Sequence, residues 1–462
     1  MFAKETYIAR RAKLKQTIGS GLLLFLGNDE SGMNYADNTY HFRQDSTFLY
    51  FFGLPYAGLS AIIDIDNNRE IIFGDELTID AIVWMGTQPT LKEKSEAAGI
   101  TEVRPFKEIE TYLKNAQQKG QPIHYLPTYR AEHQIKLFQW LGVVPGAEKP
   151  SVPFIMGVVN QRNYKSEEEI AEIEKACIVT ADMHLAAMRT VRPGIRESEV
   201  AAAVAEVAYA NNYELSFPII ATINGQTLHN HDHSNLIKSG DMLLLDAGAE
   251  TEMGYAGDMS STIPADAKFT TRQREIYDIQ VAAHEAAVAA LRPGIPFVDV
   301  YELSCKVIME GLKELGFVKG DPMEAVKAGA HAMFMPCGLG HMMGMDVHDM
   351  EGLGQVYVGF DNEVRPSEQF GTNALRFGRR LKKGFVVTDE PGIYFISDLI
   401  DLWRKERTNA DFLNFDKIDE YRNFGGIRIE DDLLITDDGC RFIGEKLIPY
   451  HADDVEEFMR NR

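Results

Sequence analysis

Four carboxylates and one imidazole, set between positions 246 and 430, are the side chains of this 462-residue sequence best suited to chemistry. Asp246 ends the apolar run Leu243–Leu245 in SGDMLLLDAGAE, and a second strand is expected to end near Asp258 in GYAGDMSST. Two aspartates brought together across a hairpin repel unless a cation lies between them. His341 and His348, seven apart in CGLGHMMGMDVHD, sit among glycines at 338, 340 and 344 that favour extended, crowded backbone over a helix. Glu390 closes the apolar segment VVTDEPG, before a Pro-Gly turn. In FGGIRIEDDLLIT, strand alternation turns Ile427, Ile429 and Asp431 one way and Arg428, Glu430 and Asp432 the other. Each piece alone is commonplace, because a single Asp or Glu on a strand is more often a surface residue or a cap than a ligand. The ordered set Asp246, Asp258, His341, Glu390, Glu430 is more specific. Mostly oxygen donors with one imidazole suit manganese or cobalt better than a thiolate-type zinc site. Two cations held this way position and ionise a water, so these residues read as a dinuclear metal hydrolase.

The elements that must position these residues repeat. HLAAMRTVRPGI (184–195) returns as HEAAVAALRPGI (284–295), offset by 100. Each copy reads as a helix, an RPGI turn and a second helix, near 198–212 and 298–315. Ser166 with Glu169 makes a capping box, so the first long helix runs from about 166 to 189. Two copies are too few for a solenoid. They predict two half-domains about a pseudo-twofold axis, with a site that draws ligands from both. His184 and His284 fall mid-helix, away from any acidic or His cluster, and read as structural.

Residues before about 145 read as an α/β domain. Strands are expected at 22–26, 60–65 and 70–73, the last two joined as a hairpin at Asn67–Asn68. Helical or mixed segments are expected at 79–84, 90–98 and 106–113. The aromatic run after FRQDS (Phe48, Tyr50, Phe51, Phe52) reads as a core strand. VPGAEKPSVP, 144–153, with three prolines, reads as a connector. The domains expected are therefore 1–160 and 161–462.

Composition narrows the class. Hydrophobic content of 45% and charged content of 25% are those of a folded globular protein. With 47 Lys+Arg against 69 Asp+Glu, the net charge of −22 opposes binding to nucleic-acid phosphates. Most of that charge serves solubility. Four unclustered cysteines fit neither a zinc motif nor a disulfide framework and point to reduced thiols in the cytoplasm. No stretch approaches 18 apolar residues, so no membrane span is expected.

On these motifs the sequence resembles the proline-specific branch of the methionine-aminopeptidase (pita-bread) family, which holds prolidase (Xaa-Pro dipeptidase) and aminopeptidase P. FRQDS and Trp84–Gly86 resemble its creatinase-like N-terminal domain, and residues from about 165 onward its catalytic domain. The resemblance implies an α/β N-terminal domain followed by an α+β pita-bread domain with an internal pseudo-twofold repeat. It implies Asp246, Asp258, His341, Glu390 and Glu430 as ligands of two divalent ions, Mn²⁺ first, with Co²⁺ or Zn²⁺ as substitutes. Asp258 and Glu430 resemble the bridging carboxylates. Glu390 also resembles the residue that carries a proton to the leaving nitrogen. His229 and His348 resemble the pair that binds the scissile carbonyl.

The long link from Glu390 to Glu430 resembles that of prolidases. Arg376 resembles the prolidase arginine that holds a dipeptide's carboxylate, though it also lies in a basic run with Arg379, Arg380, Lys382 and Lys383. Arg428 and Cys337 complete the expected substrate-binding set. Cys337 departs from the family pattern His-Gly-x-x-His by replacing a pocket histidine with a thiol. The implied function is hydrolysis of the Xaa-Pro bond in small proline-containing peptides, of dipeptidase type, by a homo-oligomer. The alternatives are aminopeptidase P acting on longer peptides, methionine aminopeptidase, a phosphotriester hydrolase, and a non-catalytic or metal-free relative. The N-terminal domain argues against methionine aminopeptidase, and the complete ligand set against a non-catalytic or metal-free relative.

Overall fold

The computed structural model describes residues 1–444 and 448–462. The chain forms two compact units, one of Met1–Arg162 with Met350–Tyr357 and one of Asn163–Asp349 with Val358–Arg462.

The first unit is built on a mixed five-stranded sheet in the spatial order Glu102–Arg104, Arg69–Phe73, Ser60–Asp64, Leu22–Leu26, Ile123–His124. Leu22–Leu26 is an unbroken apolar run, as a strand covered on both faces requires, and Leu22–Phe25 are fully buried. The expected hairpin forms with Asp64 opposite Arg69. The helix Lys4–Ile18 sends Arg11 into the interior, where its fork is fully used. It donates to Glu70 at 2.7 Å and to the carbonyls of Phe51 and Ala98 at 2.9 Å each.

The aromatic run is a helix, Ser46–Phe52, rather than the expected strand. Aromatic residues favour strands where a pleated surface receives them, but here local signals decide. The Asp45 carboxylate accepts the Phe48 N–H at 2.8 Å, and Gly53 at φ 63° ends the turn. All seven residues are buried, so the expected core role holds. The helix Val152–Arg162 also begins inside the stretch read as a connector. Pro153 falls in its first turn, where a missing N–H costs nothing.

The second unit carries the repeat. Helices Glu167–Thr190 and Glu197–Ala210 form the first pair, Thr271–Ala290 and Phe297–Glu314 the second. Ser166 and Glu169 make the expected reciprocal cap. In the RPGI turns Gly194 (φ 93°) and Gly294 (φ 88°) adopt left-handed backbone. Their N–H groups reach the carbonyls of Ile237 and Leu381, each at 2.9 Å. Each helix pair leads to an antiparallel strand pair. Met242–Ala247 pairs with Met259–Pro264, Asp246 opposite Ser260. Val386–Asp389 pairs with Asp431–Ile435, Asp389 opposite Asp431. The two halves meet where Ser260 and Glu430 exchange backbone hydrogen bonds.

Two expectations change. Asp258 precedes its strand instead of ending one, because its N–H goes to the Asp432 carboxylate at 2.9 Å and the ladder starts at Met259. His284 is not remote from acidic groups. Its ring nitrogens lie 2.8 Å from Asp389 and 3.2 Å from Asp431. Strand alternation turns these two aspartates toward the helix while the neighbouring Glu390 and Glu430 take the other face. Among the described residues no helix is long and apolar enough to cross a membrane.

Candidate metal centre

The strand pairs deliver the expected carboxylates to one place. Ligand atoms of Asp258, His341 and Glu430 lie within 4.8 Å of one another, and all three residues are buried. His341 Nε2 is 3.3 Å from Asp258 and 3.5 Å from Glu390. Asp246, paired in register with Ser260, lies two strand positions from Asp258 and shares its face. All five side chains line one cavity of about 490 Å³.

Local structure fixes each donor. The His341 N–H is bonded to the Thr388 hydroxyl at 3.1 Å, and Nδ1 lies 3.0 Å from the Met342 carbonyl. That contact assigns the proton to Nδ1 and leaves the Nε2 lone pair for the cluster. Gly340 is obligatory, since a Cβ there would stand 2.1 Å from the Thr388 carbonyl oxygen. The Glu390 N–H donates to Leu339 at 2.7 Å. Glu430 accepts from the Ser260 hydroxyl at 2.7 Å. Lys165 and Asp349, both buried and 2.7 Å apart, secure the segment from 341 to 349. Asp349 also donates its N–H to the Met342 carbonyl.

The electrostatics ask for a cation. Burial, reinforced by neighbouring carboxylates, pushes Asp258 and Glu430 well above the usual range. Burial pushes Glu390 up to about 7, against the pull of His341 and Arg428. Asp246 keeps one buried oxygen, Oδ1, without a hydrogen-bond partner. Four crowded carboxylates, an orphaned buried oxygen and an imidazole with a directed lone pair fit divalent metal.

Arg428 lines the same cavity with its guanidinium already engaged. Its guanidinium donates to Asp246, to the Ser260 hydroxyl at 2.9 Å and to the Tyr394 hydroxyl at 3.0 Å. Only 3% exposed, it braces the Asp246 carboxylate. His348 stacks edge-on against His341, with ring centroids 4.4 Å apart. Burial, then His341 and Arg376, drive its pKa down to about 2, so it is a neutral imidazole. Burial and Arg428 also lower His229. His229, Arg376 and Cys337 line the same cavity. Burial, then Glu390, push the Cys337 thiol up to about 12, so it stays protonated.

Sequence reasoning gave no role to Ser260, Tyr394 or Asp432. Asp432 was within reach, because it shares strand parity with Glu430. It accepts from Cys177 Sγ at 3.1 Å as well as from the Asp258 N–H. Tyr394 carries no local signal.

Residues 171–437 match the profile of metallopeptidase family M24, and residues 7–124 match the aminopeptidase P N-terminal domain. The chain belongs to metallopeptidase family M24. It is 27% identical to the Xaa-Pro dipeptidase of Homo sapiens, over 98% of this chain and 91% of that one. It is 30% identical to a probable Xaa-Pro aminopeptidase of Sordaria macrospora, over 91% of this chain and 88% of the relative. Among solved structures it is similar to proline aminopeptidase P II from Yersinia pestis, at TM-score 0.82 and 28% identity with both chains fully covered. It is also similar to E. coli aminopeptidase P with the inhibitor Pro-Leu, at TM-score 0.81 and 27% identity, covering 100% and 99% of the two chains. The fold is thus an aminopeptidase P-type N-terminal domain followed by an M24 catalytic domain, and the chain is a metallopeptidase that uses divalent metal.

Proposed function

We propose that this metallopeptidase cleaves the Xaa-Pro bond, with Xaa-Pro dipeptides as its preferred substrates. The observation that carries the reading is the polarity of the cavity. Asp246, Asp258, Glu390 and Glu430 line it together with Arg376, His229 and His348. The carboxylates are matched by the cations, while the Arg376 guanidinium suits a substrate carboxylate, which in an Xaa-Pro dipeptide belongs to the proline residue itself.

In this reading Asp246, Asp258, His341, Glu390 and Glu430 hold two divalent cations, Mn²⁺ first. Bound there, the cations supply an ionised water and polarise the scissile carbonyl. Glu390, beside His341 at the cluster, takes a proton at its carboxylate and returns it to the proline nitrogen as the bond breaks. His348, neutral because burial forbids its charge, donates an N–H to the carbonyl oxygen, and His229 does the same from the same cavity. Arg376 grips the carboxylate of the proline residue. Phe217, Ile220 and Leu228 provide apolar wall for the ring.

Full-length similarity to aminopeptidase P structures supports the second reading, release of the first residue from longer Xaa-Pro peptides. The test is metal-stripped protein reloaded with Mn²⁺ and assayed on an Xaa-Pro dipeptide and an Xaa-Pro-Yaa tripeptide. Faster cleavage of the dipeptide is expected. Cleavage of the tripeptide alone selects the second reading, and cleavage of neither, with any divalent metal, sinks both.

We also propose the domain junction near residue 160, a cytoplasmic location suited to four free cysteines, and a homo-oligomer. Exposed Ile79, Val83 and Trp84, on the helix Ile79–Met85, are apolar surface of the kind a second copy covers. Gel filtration with light scattering tests the last point, and a monomer refutes it.

A further inference from the structure

The two copies of the repeat place a histidine at the same position, and the chain has given the two different surroundings. His184 stands behind the first strand pair, with Nδ1 2.6 Å from the Ser261 hydroxyl and Nε2 3.2 Å from the Ala247 carbonyl. Burial drives it down to about 4, so it is neutral. His284 stands behind the second pair, between Asp389 and Asp431. Burial opposes its charge, but the two carboxylates raise it to about 10, so it is an imidazolium. His284 and Asp389 are fully buried and the Asp431 side chain is 10% exposed. The ring of Tyr450 meets the imidazole edge-on at 5.3 Å between centroids.

We propose that His284 is a positioning residue for the metal centre: its ring bridges the cross-strand pair Asp389 and Asp431, and so fixes the adjoining Glu390 and Glu430 in the register that receives metal. The inference rests on the reading of Glu390 and Glu430 as ligands.

The geometry leaves little freedom. Asp389 and Asp431 are directly opposite in the antiparallel register. Each is one peptide bond from a proposed ligand, and alternation sends the two neighbours to opposite faces of the strand. Without a cation between them, two buried carboxylates at paired positions repel. Relief comes from the strands moving apart, or from one carboxyl taking a proton and turning away. Either movement carries Glu390 or Glu430 with it.

Through-space charge alone predicts the opposite outcome. His284 is a buried positive charge behind a cation site, so deleting it would tighten metal binding if position did not matter. The sign of the change therefore separates the two mechanisms.

The test measures Mn²⁺ affinity by calorimetry on metal-free protein, together with the EPR signature of Mn²⁺ pairs and the melting temperature of each metal-free variant. His284→Leu should weaken Mn²⁺ binding by at least about tenfold, the scale on which groups supporting metal ligands act. The spectrum of coupled Mn²⁺ pairs should be lost with it. His284→Gln, which keeps one donor, should fall between. The double variant His284→Leu/Asp389→Leu removes the like-charge conflict and should recover to within about threefold of wild type. Unchanged or tighter binding in His284→Leu overturns the proposal. If that variant does not fold, unchanged binding in His284→Gln overturns it equally. Glu430→Gln is the control: if it binds Mn²⁺ like wild type, the ligand assignment itself has failed. Loss there with full binding in the His284 variants refutes the positioning role alone.

Discussion

Glu390→Gln should make the metal-free protein more stable, and by an amount set by pH. The Glu390 carboxyl is raised from 4.5 to about 7, first by burial. A raised carboxyl means the folded state prefers the protonated form. Wild type therefore loses stability relative to the glutamine variant as pH climbs from 4.5 to about 7, and the difference is flat above that. At ~1.4 kcal/mol per pH unit over this window, the full gap is about 3 kcal/mol. The side chain is 23% exposed to the cavity, which trims the gap to about 2–3 kcal/mol. The catalytic unit holds roughly 290 residues, and unfolding entropy of ~2 cal/mol/K per residue converts the gap to a difference of ~4–5 °C in Tm. The assay is calorimetric melting of both proteins in chelator between pH 5 and 8. Buried histidines such as His184 and His331, whose lowered pKa values act in the opposite direction, are common to both proteins and cancel. The gap should shrink below about 1 kcal/mol at pH 5. With saturating Mn²⁺ the order should invert, because the variant has lost a ligand while wild type gains binding energy. A variant no more stable than wild type at pH 8 in chelator, or an order that metal leaves unchanged, refutes the assignment of Glu390 as an uncompensated carboxylate at a cation site.

His348→Ala should lower kcat by ~10²–10³ without changing metal content, as loss of an oxyanion donor does; a change confined to KM would remove it from the carbonyl. Arg376→Ala should raise KM for the dipeptide by ~10–100-fold, the value of a charge-assisted pair. Tripeptide kinetics should stay within about threefold, and equal losses on both substrates would argue against a carboxylate grip. Cys337→His should keep its metal and alter kcat or the pH profile, because an imidazole that can carry charge replaces a thiol held protonated. Identical kinetics on every Xaa-Pro substrate would show the position to be catalytically silent.

The convergence of these five side chains was legible because each ends or adjoins an apolar strand, and because the repeat announced that both halves contribute. What supports them was harder to see. Asp45 and Gly53 overrode the strand preference of four aromatic positions with a cap and a stop, which outweigh average propensity over so short a segment. Arg428 shares the cavity-facing parity of Glu430, and parity alone does not say whether a guanidinium meets substrate or a neighbouring carboxylate. His284 was misjudged because its partners are 105 and 147 residues away, at Asp389 and Asp431. Pairings of that span follow from sheet register, which a helix-by-helix reading does not provide.

The seam at Ser260 and Glu430 also has a consequence in time. Ribosomes add ~5–20 residues per second, and 172 positions separate Asp258 from Glu430. For roughly ten to thirty seconds of every synthesis, the first two aspartates exist without the carboxylate that faces them across the seam. On the proposed ligand assignment, a half-made chain offers only part of the donor set and gains the rest when its second half has arrived. Metal choice is thereby deferred to a folded molecule, whose closed geometry can discriminate among ions that an open pair of aspartates would accept alike.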